Sequence, residues 1–301
     1  MLKLEILYQD DYLVVVNKPS GLLSVSFEGN RSRTAQQILE DLMRKNGSFN
    51  AKHRPLAVHR LDRDTSGVMM FALGELAQQK IMDTWHTMVS ERLYRAVAEN
   101  PRNPHAYLSK SGLIDDPLAF NAHNIGYVPK SDENVETVPA RTSYKTIVRG
   151  KTHTLFELSL DTGKKNQIRA HLASRGYPLA GDENYRARTN PFGRLALHAR
   201  TLDFTHPFTG KPMHFEVPEP AEWETFVARA VSEKPLHEPG GAKPSGTKGG
   251  KNSRASSTRV SSRRAEKSRP ADEIEFGQKR LSRKDKAHMN FIEQGKRRSG
   301  R

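Results

Sequence analysis

Apolar residues over the first 233 positions fall into short runs broken by Gly, Pro, Asn and Asp, and the spacing within each run predicts its element. Leu4-Glu5-Ile6-Leu7-Tyr8 and Tyr12-Leu13-Val14-Val15-Val16 read as two strands around a turn at Gln9-Asp10-Asp11. Asn17-Lys18-Pro19-Ser20-Gly21 breaks the second strand, and 22–25 is expected to form a short third. Ile38, Leu39 and Leu42 lie at helical spacing ahead of Gly47, predicting a helix over 34–45. Leu56-Ala57-Val58 and Val68-Met69-Met70-Phe71-Ala72-Leu73 read as buried strands, and a helix over about 75–90 places Ala77, Ile81, Trp85 and Met88 on one core face.

Residues 92–97 alternate as a strand, and 101–140, rich in Pro, Asn, Asp and Lys, read as short strands joined by a long loop. A strand pair is expected at 142–148 and 154–160, turning at Gly150-Lys151, followed by a helix over 165–174 that Gly176 ends. Strands at 195–199, 201–205 and 213–217 and a helix over 221–231, opened by Pro220, complete the pattern. Strands predominate and no regular βαβ rhythm appears, which argues an α+β fold with a mostly antiparallel sheet.

Composition divides the chain. Residues 234–301 carry 19 Lys and Arg against 7 Asp and Glu, so they hold +12 of the +15 net charge and leave 1–233 near +3. They are rich in Gly, Pro, Ser, Lys and Arg with almost no apolar residue before Ile274, the signature of a disordered basic tail. Nonspecific attraction to phosphates is the role expected of it. There is no cysteine, hence no disulfide and no thiol nucleophile. Neither a secretory leader nor an apolar run approaching the roughly 20 residues of a membrane span appears, so a soluble, cytoplasmic protein without membrane association is expected.

The chemistry concentrates in His59-Arg60-Leu61-Asp62-Arg63-Asp64-Thr65-Ser66-Gly67, polar residues wedged between two apolar runs. In extended backbone Arg60 and Asp62 share one side and Leu61 takes the other, as at the rim of a cleft. Two carboxylates compete for the working role, and a neighbouring guanidinium favours the charged, nucleophilic form of one of them. Arg92, Arg95 and Arg169 are the candidate partners, and spacing does not choose among them.

This stretch resembles the H-R-L-D-x-x-T-S-G signature of the RluA-type RNA pseudouridine synthases. Further blocks match in family order: Asn17-Lys18-Pro19-Ser20-Gly21, Arg92-Leu93-Tyr94, Thr162-Gly163-Lys164-Lys165-Asn166-Gln167-Ile168-Arg169-Ala170-His171 and Leu195-Ala196-Leu197-His198-Ala199. The resemblance spans about 4–220. It implies a mixed, mostly antiparallel central sheet flanked by helices in a catalytic domain over 1–233, and an isomerase that converts uridine in RNA to pseudouridine without cofactor or metal. On the family pattern Asp62 is the catalytic aspartate, and Arg169 ion-pairs with it. Tyr94 stacks on the target base and serves as a late general base, Arg60 fills the place of the flipped-out nucleotide, and Leu197 lines the uracil pocket. Attack at C1′ and proton removal at C2′ are both open routes. Asn166 stands where the family usually has histidine, and Arg92 where lysine is common. His59 and His198 are expected to be structural, Lys18 and Arg63 to meet phosphates or water, and Asp64 to shape the loop. No N-terminal RNA-binding module is expected before Leu4.

The run from Ile6 to Val25 is especially close to a family member that acts on both large-subunit ribosomal and transfer RNA, so both remain candidate partners of a protein expected to be a monomer. Two rivals stand beside this reading. Asp62-Arg63-Asp64 resembles the D-x-D pair of an aspartyl-phosphate phosphatase, which needs Mg²⁺. Alternatively, a synthase-like body without chemistry could serve as an RNA-binding or ribosome-assembly protein.

Overall fold

The computed structural model describes residues 3–232 apart from Glu28 and Asn30, with no side chains described for 230–232. The basic tail expected over 234–301 lies outside the described residues. In chain order the elements are strands β1 (Glu5–Gln9) and β2 (Leu13–Lys18), helix α1 (Ala35–Lys45), strands β3 (Pro55–Ala57) and β4 (Ser66–Leu73), helix α2 (Glu75–Met88) and strand β5 (Val89–Glu99). Then come β6 (Ser111–Ile114), β7 (Ala119–Phe120), β8 (Gly126–Tyr127), β9 (Thr142–Arg149) and β10 (His153–Leu160), helix α3 (Gln167–Ser174), β11 (Leu197–Thr205), β12 (Pro212–Glu216) and helix α4 (Glu222–Ser232).

Ten strands form one sheet in the order β1-β2-β4-β11-β5-β10-β9-β6, with β3 also on β4 and β12 also on β11; β7 and β8 pair separately. Among the described strands β4 and β11 pair in parallel and the remaining pairs run antiparallel. The fold is therefore mixed but mostly antiparallel, with helices on both faces.

Strand alternation assigns those faces. In β4, Met69, Phe71 and Leu73 join Val14 and Val16 of β2 beneath Ala35, Leu39 and Met43 of α1. Their neighbours Val68, Met70 and Ala72 point the other way, with Ala77, Ile81 and Met88 of α2. The same division recurs across the sheet: Ala96, Ala98, Phe156 and Leu158 meet Ile168 and Leu172 of α3, whereas Val97 and Leu155 meet Trp223 and Val227 of α4. Leu197 and Ala199, two residues apart on β11, belong one to the α3 core and the other to the α1 core, so α1 and α3 share a face. Tyr94 packs against both cores and marks the seam between them.

Two expectations need correction. The segments at 195–199 and 201–205 are not separate strands: β11 runs unbroken through Arg200, whose guanidinium pairs with Glu216 and Glu219. Residues 22–25 form no strand but one bridge, Leu23 to Thr34, leading into the capping box by which Thr34 and Gln37 start α1.

Gly67 sits where β4 and β11 pair in parallel. It has φ +112°, and a Cβ there would lie 2.0 Å from the carbonyl oxygen of Ala199, its partner in the parallel pair. Gly67→Ala combines backbone strain with a backbone clash, so it is expected to cost more than about 3 kcal/mol. Thermal unfolding checks this, and a Tm within a degree of wild type contradicts it.

Candidate active site

The 59–65 segment is fixed largely through its backbone. His59 Nε2 accepts a hydrogen bond from the Met70 amide at 2.9 Å, and the ring lies against Trp85 at 4.9 Å. Burial pulls its pKa down to about 3, aided by the charge of Arg92, so it is a neutral structural acceptor. Leu61 is buried, and the Ser24 hydroxyl both donates to its carbonyl (2.7 Å) and accepts from its amide (3.2 Å). Ser20 Oγ donates to the Asp64 carbonyl at 2.7 Å, and the Thr65 amide closes a turn onto the Asp62 carbonyl at 3.2 Å. His198 joins Ser66 Oγ (2.7 Å) to the Val217 carbonyl (2.9 Å) and is likewise structural.

Lys18 overturns its expectation. It meets neither phosphate nor water: it is 0% exposed, and its ammonium donates to the carbonyls of Pro19 (3.0 Å), Leu22 (2.7 Å) and Arg63 (3.0 Å). The Asn17-Lys18-Pro19-Ser20-Gly21 block thus holds the loop that carries Asp62. Burial pulls the Lys18 pKa down to about 7, against the opposing charges of Asp64 and Asp62. The folded chain then releases this proton above pH 7, whereas the unfolded chain keeps it to about 10.4. Stability should accordingly rise with pH across that window, at no more than about 1.4 kcal/mol per unit. Denaturant titrations of wild type and Lys18→Met at several pH values check this; a constant difference between them contradicts it.

Arg169 is the arginine that reaches Asp62. Its Nη1 donates to Asp62 Oδ2 at 3.2 Å, while Nε and Nη2 form a two-pronged bond to Asp182, each at 2.7 Å. The Asp182 side chain is 1% exposed, against 21% for Asp62, so the chain Asp62–Arg169–Asp182 runs from the cleft into the interior. Burial disfavours the Arg169 charge, but the Asp182 bonds outweigh it and raise the pKa, fixing the cation. The guanidinium also lies 5.1 Å from the Tyr185 ring centroid. Arg95 pairs instead with Glu157 at 2.8 Å, and Arg92 donates to the Leu160 carbonyl at 2.8 Å.

A second donor reaches the same carboxylate oxygen: Asn166 Nδ2 to Asp62 Oδ2, 2.7 Å. Asn166 immediately precedes α3 in the left-handed region, φ 57° and ψ 17°. Behind it Gln167 accepts from Thr162 Oγ1 and the Lys164 amide, and donates to the Arg141 carbonyl, so the 162–166 turn is set on the helix start.

Asp62, Arg60, Tyr94, Arg169 and Leu197 all line one open cleft at the seam between the two cores. Leu160, Lys164, Lys165 and Asn166 line it too. Arg60, Lys164 and Lys165 add three cations beside the Asp62–Arg169 pair, so the cleft suits a polyanion. Burial raises the Tyr94 pKa, and the charge of Asp62 adds to this against Arg92, so its hydroxyl stays protonated. Asp64 pairs with Arg63 rather than with Asp62 or its partners, which separates the two carboxylates of the D-x-D sequence. Asp182, Tyr185 and the direct bond from Asn166 escaped the sequence reading.

A family model described as RNA pseudouridylate synthase matches residues 12–174, a span that includes Asp62, Tyr94 and Arg169. The chain belongs to this family. Its members isomerise uridine in RNA to pseudouridine, and the chain is an isomerase of that class. It is 31% identical over 251 residues to ribosomal large subunit pseudouridine synthase D of Pasteurella multocida, covering 79% of this chain and 74% of the relative. The protein of the same name from Neisseria meningitidis is 34% identical, covering 72% of this chain and 58% of the relative. An uncharacterized RNA pseudouridine synthase of Bacillus subtilis, YlyB, is 34% identical, covering 74% and 72%. The fold is also that of human RNA pseudouridylate synthase domain containing 4, with a TM-score of 0.58 at 22% identity over 75% of this synthase and 92% of that chain. No helix among the described residues is long and apolar enough to cross a membrane.

Proposed function

We propose that the synthase modifies uridines of ribosomal RNA, with Asp62 as its reacting carboxylate and the target nucleotide flipped out of its stack into the cleft. The observation that carries this reading is the placement of Asp62, held by Arg169 and Asn166, in the same cleft that Tyr94 and Leu197 line. Extruding a stacked base costs a few kcal/mol, which an aromatic platform and an inserted cation offset. Tyr94 and Leu197 serve as the walls for uracil, and Arg60, exposed at the rim, as the cation that enters the vacated place. Lys164 and Lys165 attract the flanking phosphates.

In this reading Asp62 acts on the ribose, and the N1–C1′ bond breaks. Uracil turns within the walls, C5 bonds to C1′, the hydrogen of C5 leaves as a proton, and N1 ends protonated. Atoms and charge balance without an oxidant or an added group. Tyr94, a neutral phenol, is better suited to stacking and to donating a hydrogen bond than to removing the proton at rest.

Large-subunit ribosomal RNA is the substrate proposed from the names of the relatives, with transfer RNA as the comparison substrate. Transcripts of both, incubated with the purified full chain in a cytoplasm-like buffer, are labelled with a carbodiimide that marks pseudouridine and mapped by reverse-transcription stops. Modification of the ribosomal transcript at a defined uridine is expected. Modification of the transfer RNA alone overturns the substrate assignment, and modification of neither overturns the activity.

A further inference from the structure

We propose that Asn166 is a positioning residue for the isomerisation: its side-chain amide and Arg169 together hold one oxygen of Asp62, leaving the other to meet the uridine. The inference rests on the reading of Asp62 as the reacting carboxylate. Asn166 Nδ2 (2.7 Å) and Arg169 Nη1 (3.2 Å) converge on Oδ2. Among the described residues no hydrogen bond is made to Oδ1, in a carboxylate that lines the cleft and is 21% exposed on its side chain.

An asparagine just before a helix ordinarily bonds the helix's own first amides. Asn166 makes no such bond; its amide goes instead to a residue 104 positions earlier in the chain. The left-handed backbone (φ 57°) that directs it there is one that asparagine tolerates better than most side chains. The chemical form of the donor also matters. A second cation on Oδ2 would neutralise Asp62 further, whereas an amide orients the carboxylate, does not titrate and leaves its charge for the reaction. Lys165, the adjacent cation, has its own pKa lowered by burial and by the charge of Arg60, and it lines the cleft rather than replacing this bond.

Two substitutions separate the amide from the backbone. Asn166→Gly keeps the left-handed conformation and removes the donor; Asn166→Asp keeps shape and backbone and sets a like charge against Asp62. Single-turnover and steady-state rates on the ribosomal transcript are measured from about pH 3.5 to 9, with Asp62→Asn alongside. Asn166→Gly is expected to lower kcat roughly 10–100-fold, the worth of a hydrogen bond to a charged group. KM should stay within about twofold, because the amide acts on the reacting group and not on RNA affinity. Asn166→Asp should move the acidic limb of the pH profile up by about one unit or more. A wild-type kcat in Asn166→Gly or an unmoved limb in Asn166→Asp overturns the inference, and if the glycine variant does not fold the pH profile decides. Wild-type turnover by Asp62→Asn would instead overturn the role of Asp62, whatever the Asn166 variants do.

Discussion

Asp62→Asn is expected to lower pseudouridine formation by on the order of 10⁴-fold or more while leaving the folded protein and its RNA affinity nearly intact. The size follows from chemistry: the amide has the shape of the carboxylate but neither its charge nor its nucleophilicity, and no neighbouring acid stands ready to replace it. Asp64 is held by Arg63, and Asp182 by two bonds from Arg169 in the interior. The fold should tolerate the change because Asp62 is partly exposed and Arg169 keeps Asp182 as its counter-ion. Binding should persist through Lys164 and Lys165, proposed to attract the flanking phosphates, and through Arg60, proposed to enter the place of the flipped-out nucleotide. Nucleoside analysis of the product and a binding isotherm on the same transcript check both halves. Substantial turnover by the variant contradicts the role, and loss of binding equal to loss of product makes Asp62 an affinity residue.

Asp182→Asn is expected to damage both stability and catalysis. The aspartate is almost wholly buried, and removing its charge strands the Arg169 guanidinium inside the protein with only Asp62 to compensate it. Breaking a buried pair from one side costs about 3–5 kcal/mol. At roughly 2–4 °C per kcal/mol for a domain of this size, the Tm should fall by about 10 °C. Activity should fall even at temperatures where the variant stays folded, because the guanidinium is no longer gripped by two bonds that aim its Nη1 at Asp62. The double change Asp182→Leu with Arg169→Met removes both charges and should regain much of the lost stability, yet stay inactive. Scanning calorimetry with single-turnover rates at low temperature checks this. A stable, active Asp182→Asn would show that Asp62 and the loop alone orient Arg169.

Much of this site was legible in the sequence because charge stood against pattern. The polar stretch at 59–67 sits between two apolar runs and carries Arg60 and Asp62 to the cleft. The expected alternation is incomplete, since the buried Leu61 between them lines the same cleft. Strands β2 and β4 were equally plain, since their continuous apolar runs have cores on both sides. Lys18 carried a signal that its charge obscured: it follows Val14 and Val16 at period two, on the face buried beneath α1. Arg200 obscured β11 in the opposite sense, a charge within a strand whose partners, Glu216 and Glu219, come later in the chain. Asp182 left no local signal at all. It sits in a Gly-Asp-Glu-Asn loop like any solvated turn, and only the fold that returns it to Arg169 makes it the buried end of the ion chain. The choice of Arg169 over Arg92 and Arg95 is long-range in the same way, since it depends on which strand neighbours claim the other two.

The cleft is proposed to move a uracil from N1 to C5 attachment under the control of Asp62, and the hydrogen that leaves C5 reports this directly. Large-subunit ribosomal RNA transcribed with uridine tritiated at C5 is incubated with the full chain, with and without EDTA, and with Asp62→Asn as the blank. Tritium should appear in solvent up to a fixed stoichiometry per transcript, unaffected by EDTA and absent from the blank. No release by the wild-type chain, or equal release by Asp62→Asn, would contradict the account.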